Sequence, residues 1–580
     1  MSVQLTEADD FFILKDPNHE VNVELDILHG KYEPVNQDLY VSPYGDDSNS
    51  GFNPDDPLKT IAFANQYIAS DSLNPKTIYL AEGTYSLTEN EQLFPFAIKS
   101  NVNVTGSGME QTTLDCEGLL SMFSAAYRSN ITVSDLNITR CDSDYSCSSI
   151  GFAYCNNIVL RNLWLHENNA DVERIGIFDC EDVLLENIII EHTSTNRDDD
   201  VAISIAPTSK NIVLNNIIIN DMHIVNNLYN YVGMRIFNSD VVMRNSIVSN
   251  CSAIDGGFFV YHNTAETSTE NNLDLSNFLF YNNECDYNSW SFSPFYIQNR
   301  YQRMQVNNCT FANNGSGYGT IVTIFGYADI RNCVFNNPWN YSDLYFYNVL
   351  DEIGEFDATM SNSLTSLEVR AENFDLITID NVLENSDPLF IGDVEVGWDE
   401  ENADYYQLSE NSPCIDAGTP DTLGLNIPPM DLAGNERVWN DIIDMGCYEY
   451  GAPPHVGNTE NVIENGKLKI ENYPNPVNLN EGRGVVFLEF TLPDIPIDDP
   501  RIEIYNIRGQ KVKTIELTQS LSGLARIAGL ASKETQRGEA YSTVWDCRNE
   551  RNETVAAGVY LYTLSVADEI KGANKLMILK

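Results

Sequence analysis

Between Asn130 and Cys333 the chain repeats one phrase of polar and apolar positions. Asn130-Ile-Thr-Val-Ser-Asp135-Leu, Asn157-Ile-Val-Leu-Arg-Asn162-Leu, Asp182-Val-Leu-Leu-Glu-Asn187-Ile, Asn211-Ile-Val-Leu-Asn-Asn216-Ile and Asp240-Val-Val-Met-Arg-Asn245-Ser share it. Asn101-Val-Asn-Val-Thr-Gly106 begins the series, and Asn272-Leu-Asp-Leu-Ser-Asn277-Phe, Arg303-Met-Gln-Val-Asn-Asn308-Cys and a shorter match at Asn332-Cys333 continue it. From Asp135 the second polar anchor recurs after 27, 25, 29, 29, 32, 31 and 24 residues, which fits coils joined by loops of unequal length.

Alternation on either side of the anchor, as in Ile158, Leu160 and then Leu163, Leu165, is the period of two of strands with one buried face. The anchor interrupts it. Asn and Asp tolerate the left-handed or turn conformation that bends one strand into the next, and their side chains can bond to the coils above and below. A further strand precedes most anchors, at 149–154, 175–178, 201–205, 233–237, 257–261 and 320–325. Short strands without helical periodicity predict an all-β chain built round a right-handed parallel β-helix, with coils about 4.8 Å apart. Asp135, Asn162, Asn187, Asn216, Asn245, Asn277 and Asn308 are then expected to stack at one corner of a body spanning residues 39 to about 450. A sandwich or propeller would need a hairpin turn at each unit, and within the repeat only Asp255-Gly256 and Asn314-Gly315 offer one.

Leu39-Tyr-Val-Ser-Pro-Tyr-Gly45-Asp-Asp-Ser-Asn-Ser-Gly51, Pro57-Leu-Lys-Thr-Ile61 and Ile78-Tyr-Leu-Ala-Glu-Gly83-Thr-Tyr85 resemble the N-terminal segment of pectate-lyase-like β-helix proteins. The resemblance implies a short helix over Ile61 to Ile68 capping the first coil. After residues 39–350 the repeat fades, and residues 351–450 are expected to hold the final coils and a closing motif: Asn411-Ser-Pro-Cys414-Ile-Asp416, Asp431-Leu-Ala-Gly434-Asn-Glu-Arg437 and Asp444-Met-Gly446-Cys447-Tyr-Glu-Tyr450. It resembles the closing segment of bacterial surface proteins of the choice-of-anchor kind. Asp416, Asp431, Arg437 and Asp444 read as a structural ion-pair and turn network, since the Gly, Pro and Asp spacing is that of turns.

Residues 451–471 shift to linker composition, and residues 472–580 alternate in short strands (485–490, 501–505, 559–565, 575–579) as a small antiparallel, immunoglobulin-like β-sandwich. This tail resembles the type IX secretion system C-terminal sorting domain through Tyr473, Pro474, Asn475 and Pro476, through Gly509, Gly558 and Tyr560, and through the terminal run Lys575 to Lys580. Val477 stands where that family usually has Phe, and the stretch from Glu516 to Tyr541 is longer than usual. The resemblance implies the type IX machinery as partner and an extracellular or cell-surface location. Such cargo carries a signal peptide, and the polar lead-in of residues 1–38 shows none, so a misassigned start or a fragment is expected. Cys414 and Cys447 sit in two halves of the closing motif, and export provides an oxidising compartment; a disulfide between them is expected. Cys309 and Cys333, each one past an anchor, are expected in the core as thiols.

Among the 580 residues, 85 Asp and Glu stand against 33 Lys and Arg, a net charge of −52. That field opposes phosphate backbones and suits divalent cations, so nucleic acid is excluded as a partner. No apolar run reaches the length of a membrane span. The twelve cysteines lack CxxC pairs or zinc-ligand spacing.

Five residues past the anchors, Arg140, Glu167, His192, Asp221, Asn250, Asn282, Asn313 and Asn337 predict a polar ridge. Beyond it come acidic loops with Asp171, Glu173, Asp198, Asp199 and Asp200, and then a strand whose outward positions read as Gly151, Gly176, Ala202 and Gly233, interrupted by Arg174 and Arg235. A groove of carboxylates and arginines beside Tyr229, Tyr231 and Tyr296 suits a polysaccharide. The main reading is therefore an exported, noncatalytic β-helix that binds glycans or surface partners. The alternative is a calcium-dependent polysaccharide lyase, which needs carboxylate-bound Ca²⁺ and an Arg or Lys as base; Asp171, Glu173, Asp198, Asp199, Asp200 and Arg235 are the candidate residues, without roles assigned to each. The polygalacturonase run of Asn-x-Asp, Asp-Asp, Gly-His and Arg-x-Lys is absent. Calcium is also expected at Asp46, Asp47, Asp55 and Asp56. His166, His192 and His223 read as loop residues and not as a triad, because no Gly-x-Ser-x-Gly elbow accompanies them.

Overall fold

A computed structural model describes residues 33–579, except 120, 142–147, 169–172, 196–200, 225–232, 254–258, 264–271, 286–293, 317–319, 348–357, 373–374, 376, 395–401, 421, 423–424, 426, 454–468, 474–476, 479–485, 493–500, 507–510, 517–538, 546, 550, 552–553 and 567–568. The chain divides into two compact units, one up to Tyr406 and one from Gln407.

The first unit is a parallel β-helix whose 29 strands form one continuous hydrogen-bonded sheet. Each coil lies in register on the next: Ile131, Ile158, Val183 and Ile212 align, as do Leu136, Leu163 and Ile188. All seven side chains are at most 1% exposed. At about 1.5–3 kcal/mol per buried aliphatic side chain, this column is the main stabilising term.

Up to four residues per coil take the left-handed conformation, for example Tyr154 (φ 55°), Asn157 (56°), Asn162 (52°) and Glu167 (53°). A left-handed residue bends the strand and shifts the alternation by one place. Ile158 and Leu160 therefore point inward before Asn162, and Leu163 and Leu165 point inward after it. The seven anchors all adopt it, with φ between 50° and 62°. Their amides form a ladder: Asn162 Nδ2 donates to Asp135 Oδ1 (2.8 Å), Asn187 to Asn162 (3.0 Å) and Asn216 to Asn187 (2.7 Å). The ladder slips one place at Asn245, which donates to Asn215, and resumes from Asn277 to Asn245. The expected ridge is largely a second such corner, since Arg140, Glu167, Asp221, Asn250, Asn282 and Asn313 are also left-handed. Asn337 departs from it: it is buried in an internal chain in which Asn283 donates to Asn314, Asn314 to Asn337 and Asn337 to Asp343.

A small S–H or O–H donor often follows a left-handed corner. The Cys155, Cys180, Cys309 and Cys333 thiols, like the Ser239 and Ser363 hydroxyls, each donate to the carbonyl two residues earlier. The sulfur or oxygen in turn accepts a backbone N–H from the coil before it, as Cys180 Sγ does from Cys155 (3.4 Å) and Ser209 Oγ from Cys180 (3.2 Å). Cys309 and Cys333 are fully buried core thiols, as expected.

The first coil is covered by helix Ile61–Tyr67, where the sequence places one, with Thr60 as N-cap accepting from Phe63 N–H. Among the described residues the parallel ladder ends with Ile377–Leu383.

In the second unit, the closing segment is held by buried charge. Asp444 Oδ1 and Oδ2 accept the N–H groups of Asp416 and Tyr450 (both 2.6 Å), Asp431 accepts those of Asn435 and Glu449, and Arg437 pairs with Glu449 at 3.1 Å. This is the expected structural network. Cys414 and Cys447 are buried thiols with no disulfide between them. The two segments do meet, but Met445 N–H donates to the Cys414 carbonyl, a pairing that sets Met445 beside Cys414 and leaves Cys447 two residues further along. Two sheets follow: Lys469–Tyr473, Val486–Leu492 and Glu539–Trp545 in one, and Val477–Asn478, Glu569–Leu579, Gly558–Val566, Arg501–Asn506 and Lys511–Glu516 in the other. They share a core of Leu488, Ile504, Trp545, Tyr562 and Ile578, a sandwich that begins inside the segment expected as linker. No helix among the described residues is long and apolar enough to cross a membrane.

Candidate functional site

The strand that opens each coil, such as Glu173–Phe178, sends alternate side chains outward. Register fixes which ones align: Ser124, Gly151, Gly176, Ser204 and Arg235 occupy successive rungs, with Val260 and then Tyr296 beyond. Ser204, not Ala202, therefore continues the small outward column, and Arg235, not Gly233, takes the next rung and ends it. The difference arises because the preceding loops vary in length and hide the register.

Gly176 is required for what lies above it. A Cβ there would stand under 3.0 Å from Ser148 Oγ, the Phe178 ring and Glu173 Oε1. The Glu173 carboxylate thus folds back over the glycine, 2% exposed, and accepts from Ser148 Oγ at 2.8 Å. Arg235 approaches from two coils away, with Nη2 3.8 Å from Glu173 Oε2 and both Nε and Nη2 donating to Ser204 Oγ at 3.3 Å. Its guanidinium also lies 5.7 Å from the Phe237 ring centroid. The result is a carboxylate and a guanidinium held together over small residues, with the arginine side chain 20% exposed and able to meet a ligand. Arg174 is fully buried and does not belong to the open surface. Sequence reading missed Ser148 and Ser204; their spacing from Glu173 and Arg235, one coil each, is the signal that finds them once the register is known.

Tyr296 lies on this column, two rungs past Arg235, but is only 8% exposed and offers little ring surface. Asp171, Asp198, Asp199, Asp200, Tyr229 and Tyr231 lie outside the described residues. His166, His192 and His223 all fall in strands, contrary to the loop expectation. The His166 ring stacks 4.4 Å from Trp164, whose indole N–H donates to Glu191 (2.9 Å).

The first acidic cluster is committed to turns. Asp47 accepts the N–H groups of Lys59 and Thr60, Asp46 that of Ser48, and Asp56 that of Ser50, while Asp55 donates its own N–H to Asn53. Hydrogen bonding to Ser48 and Ser50 lowers the pKa of Asp46 and Asp56 respectively. Among the described residues no three His, Cys, Asp or Glu side chains are grouped to hold a metal.

In the tail, Tyr473 ends its strand opposite Phe487, Gly558 opens a strand at φ 151°, and Lys575 is exposed on the last strand opposite Leu561. Tyr560 packs on Trp545 (5.6 Å) and donates its hydroxyl to Ala556 O. Pro474 to Pro476, Gly509 and Lys580 lie outside the described residues.

No protein-family model matches the chain, and no curated protein does. Solved structures that resemble it include the A-module of a mannuronan C-5 epimerase from Azotobacter vinelandii, 13% identical with a TM-score of 0.36, covering 53% of this chain and 87% of that one. The catalytic domain of a GH87 α-1,3-glucanase in complex with nigerose is 12% identical, with a TM-score of 0.33 and coverage of 56% and 66%. Dimeric latent PorU from Porphyromonas gingivalis is 21% identical over 20% of this chain and 10% of that one, with a TM-score of 0.15. Scores this low assign no activity; the β-helix stands on the strand register itself.

Proposed function

We infer that the β-helix binds a polysaccharide along the outward column that runs past Gly151, Gly176, Ser204 and Arg235, and that the C-terminal sandwich is the address that brings it to the cell surface through type IX secretion. The observation that carries the binding reading is the Glu173–Arg235 pair held over Gly176 and Ser204. Of this group Arg235 keeps its side chain partly open at the surface, on a column whose rungs repeat about every 4.8 Å. Arg235 would take a uronate carboxylate or a sugar hydroxyl.

The test is binding of the full-length protein to a panel of neutral and uronic-acid polymers, with and without calcium. Binding lost at least tenfold in Arg235→Ala supports the reading; no binding to any polymer, or binding unchanged in that variant, overturns it. Unsaturated product in the calcium arm would move the assignment to a polysaccharide lyase. Export is tested separately: removing residues 456–580 is expected to leave polymer binding intact and abolish surface delivery in a host with type IX secretion. A truncated chain that still reaches the surface refutes the address.

A further inference from the structure

Strand Lys210–Ile224 carries Asp221 and His223 two residues apart, and His223 is the register partner of Ser252 on the next coil. The three side chains meet end to end. Asp221 Oδ1 lies 2.7 Å from His223 Nε2, and Ser252 Oγ lies 2.6 Å from His223 Nδ1. An ionised carboxylate can only accept, so Nε2 carries the proton and donates to Asp221. Nδ1 then presents its lone pair to the Ser252 hydroxyl, which donates into it. That order, hydroxyl to imidazole to carboxylate, is nucleophile, base and orienting group.

Solvent reaches the group: the His223 and Asp221 side chains are 42% and 39% exposed. A contact this exposed adds little to stability, so the fold has little need of it. Corner contacts elsewhere join side chains in pairs, as when Asn282 donates to Asn250 or Asn211 to Asp182, whereas here a hydroxyl, an imidazole and a carboxylate are joined in one chain.

We propose that Ser252, His223 and Asp221 form a second functional centre that hydrolyses neutral acyl esters. Ser252 Oγ attacks the ester carbonyl carbon while its proton passes to His223 Nδ1, and Asp221 stabilises the imidazolium. The ester C–O bond breaks, and the leaving oxygen takes the proton from Nδ1 and departs as an alcohol. Water then adds to the acyl-serine and gives a proton to Nδ1; that proton returns to Ser252 Oγ as the carboxylic acid leaves. No oxidant, metal or cofactor is needed. Charge selects the acyl group: Glu284 is the exposed register partner of Ser252, and with Asp221 it sets two carboxylates beside the nucleophile. An acetyl ester is accepted there and a succinyl ester repelled. This activity does not depend on polysaccharide binding.

The experiment uses the full chain with p-nitrophenyl acetate and p-nitrophenyl succinate, together with a fluorophosphonate label mapped by mass spectrometry. Wild-type protein should release p-nitrophenol from the acetate at least ~10-fold faster than from the succinate. Ser252→Ala should lower that rate about 100-fold, and Asp221→Asn at least about tenfold. Ser194→Ala, one coil before His223, should leave it unchanged. The label should appear on Ser252 of the wild type and be lost in His223→Ala. Because labelling is read on the wild type, it decides the matter even if a variant fails to fold. A wild-type rate equal to that of Ser252→Ala, a label on another serine, or no label at all overturns the proposal; equal rates on the two esters overturn its substrate class.

Discussion

Replacing Asn162 separates the two contributions an asparagine makes at a coil corner. Its amide gives one hydrogen bond to Asp135 and takes one from Asn187, and its backbone sits at φ 52°. Asn162→Gly removes both bonds but keeps easy access to that φ; at about 1 kcal/mol per bond, with about 0.4–1 kcal/mol more for the freer unfolded chain, it should cost about 3 kcal/mol. Asn162→Ala loses the same bonds and adds about 1–2 kcal/mol for a Cβ in the left-handed region, for a total of about 3–4 kcal/mol. Asn162→Asp faces a second carboxylate whose pKa burial already raises at Asp135. The folded pair should retain a proton that the unfolded chain has released, so the stability of this variant falls as pH rises above the carboxylate range. Urea unfolding followed by Trp164 fluorescence, two residues along the strand, reads all three. An alanine variant as stable as the glycine variant, or an aspartate variant with no pH dependence beyond wild type, would refute the left-handed ladder as the basis of the corner.

Burial pushes the Glu449 pKa up to about 8 from 4.5, against the pull of Arg437, so the folded state holds a proton that the unfolded state lacks between those values. Stability of the closing segment should fall as pH rises across that window, and Glu449→Gln should flatten the slope of hydrogen exchange at the amides of Trp439 and Asp444, which bond to the Glu449 carboxylate. Cys180→Ser should cost under about 1 kcal/mol in thermal melts, because Ser209 and Ser239 fill the same role one and two coils on, while Cys180→Val leaves the Cys155 N–H without its acceptor and should cost about 1–3 kcal/mol. Gly176→Ala should destabilise by about 1–3 kcal/mol and weaken polymer binding, since the new methyl displaces Glu173 from its place beside Arg235; unchanged melting and binding would sink this account of the pair.

The anchors were legible because Asn and Asp advertise a left-handed turn. Tyr154 and Glu167 occupy equally left-handed positions, but their chemistry gives no such sign, so only the packed coil reveals four corners. The small outward column was half legible: Gly151 and Gly176 were placed correctly, and a loop of unpredictable length then shifted the frame, hiding Ser204. His223 and Ser252 stand 29 residues apart, the ordinary coil interval here, so nothing in local sequence marks them as neighbours. The cysteine pair of the closing motif shows the reverse, since chemistry and proximity agreed but the hydrogen-bond register set Met445 beside Cys414.

The corner amides also give the body an electrical direction. Asn157 donates to Asn130, Asn162 to Asp135, Asn216 to Asn187 and Asn282 to Asn250, in each case from the later coil to the earlier. Side-chain dipoles so aligned add along the axis and polarise one another, much as peptide dipoles do in a helix. The end nearer the N-terminus becomes the positive pole, and Asp135, an acceptor only, ends one stack there as an anion should. In the later coils the internal chain from Asn283 through Asn314 and Asn337 to Asp343 donates the other way, so there the two rows of side-chain dipoles run antiparallel and offset each other.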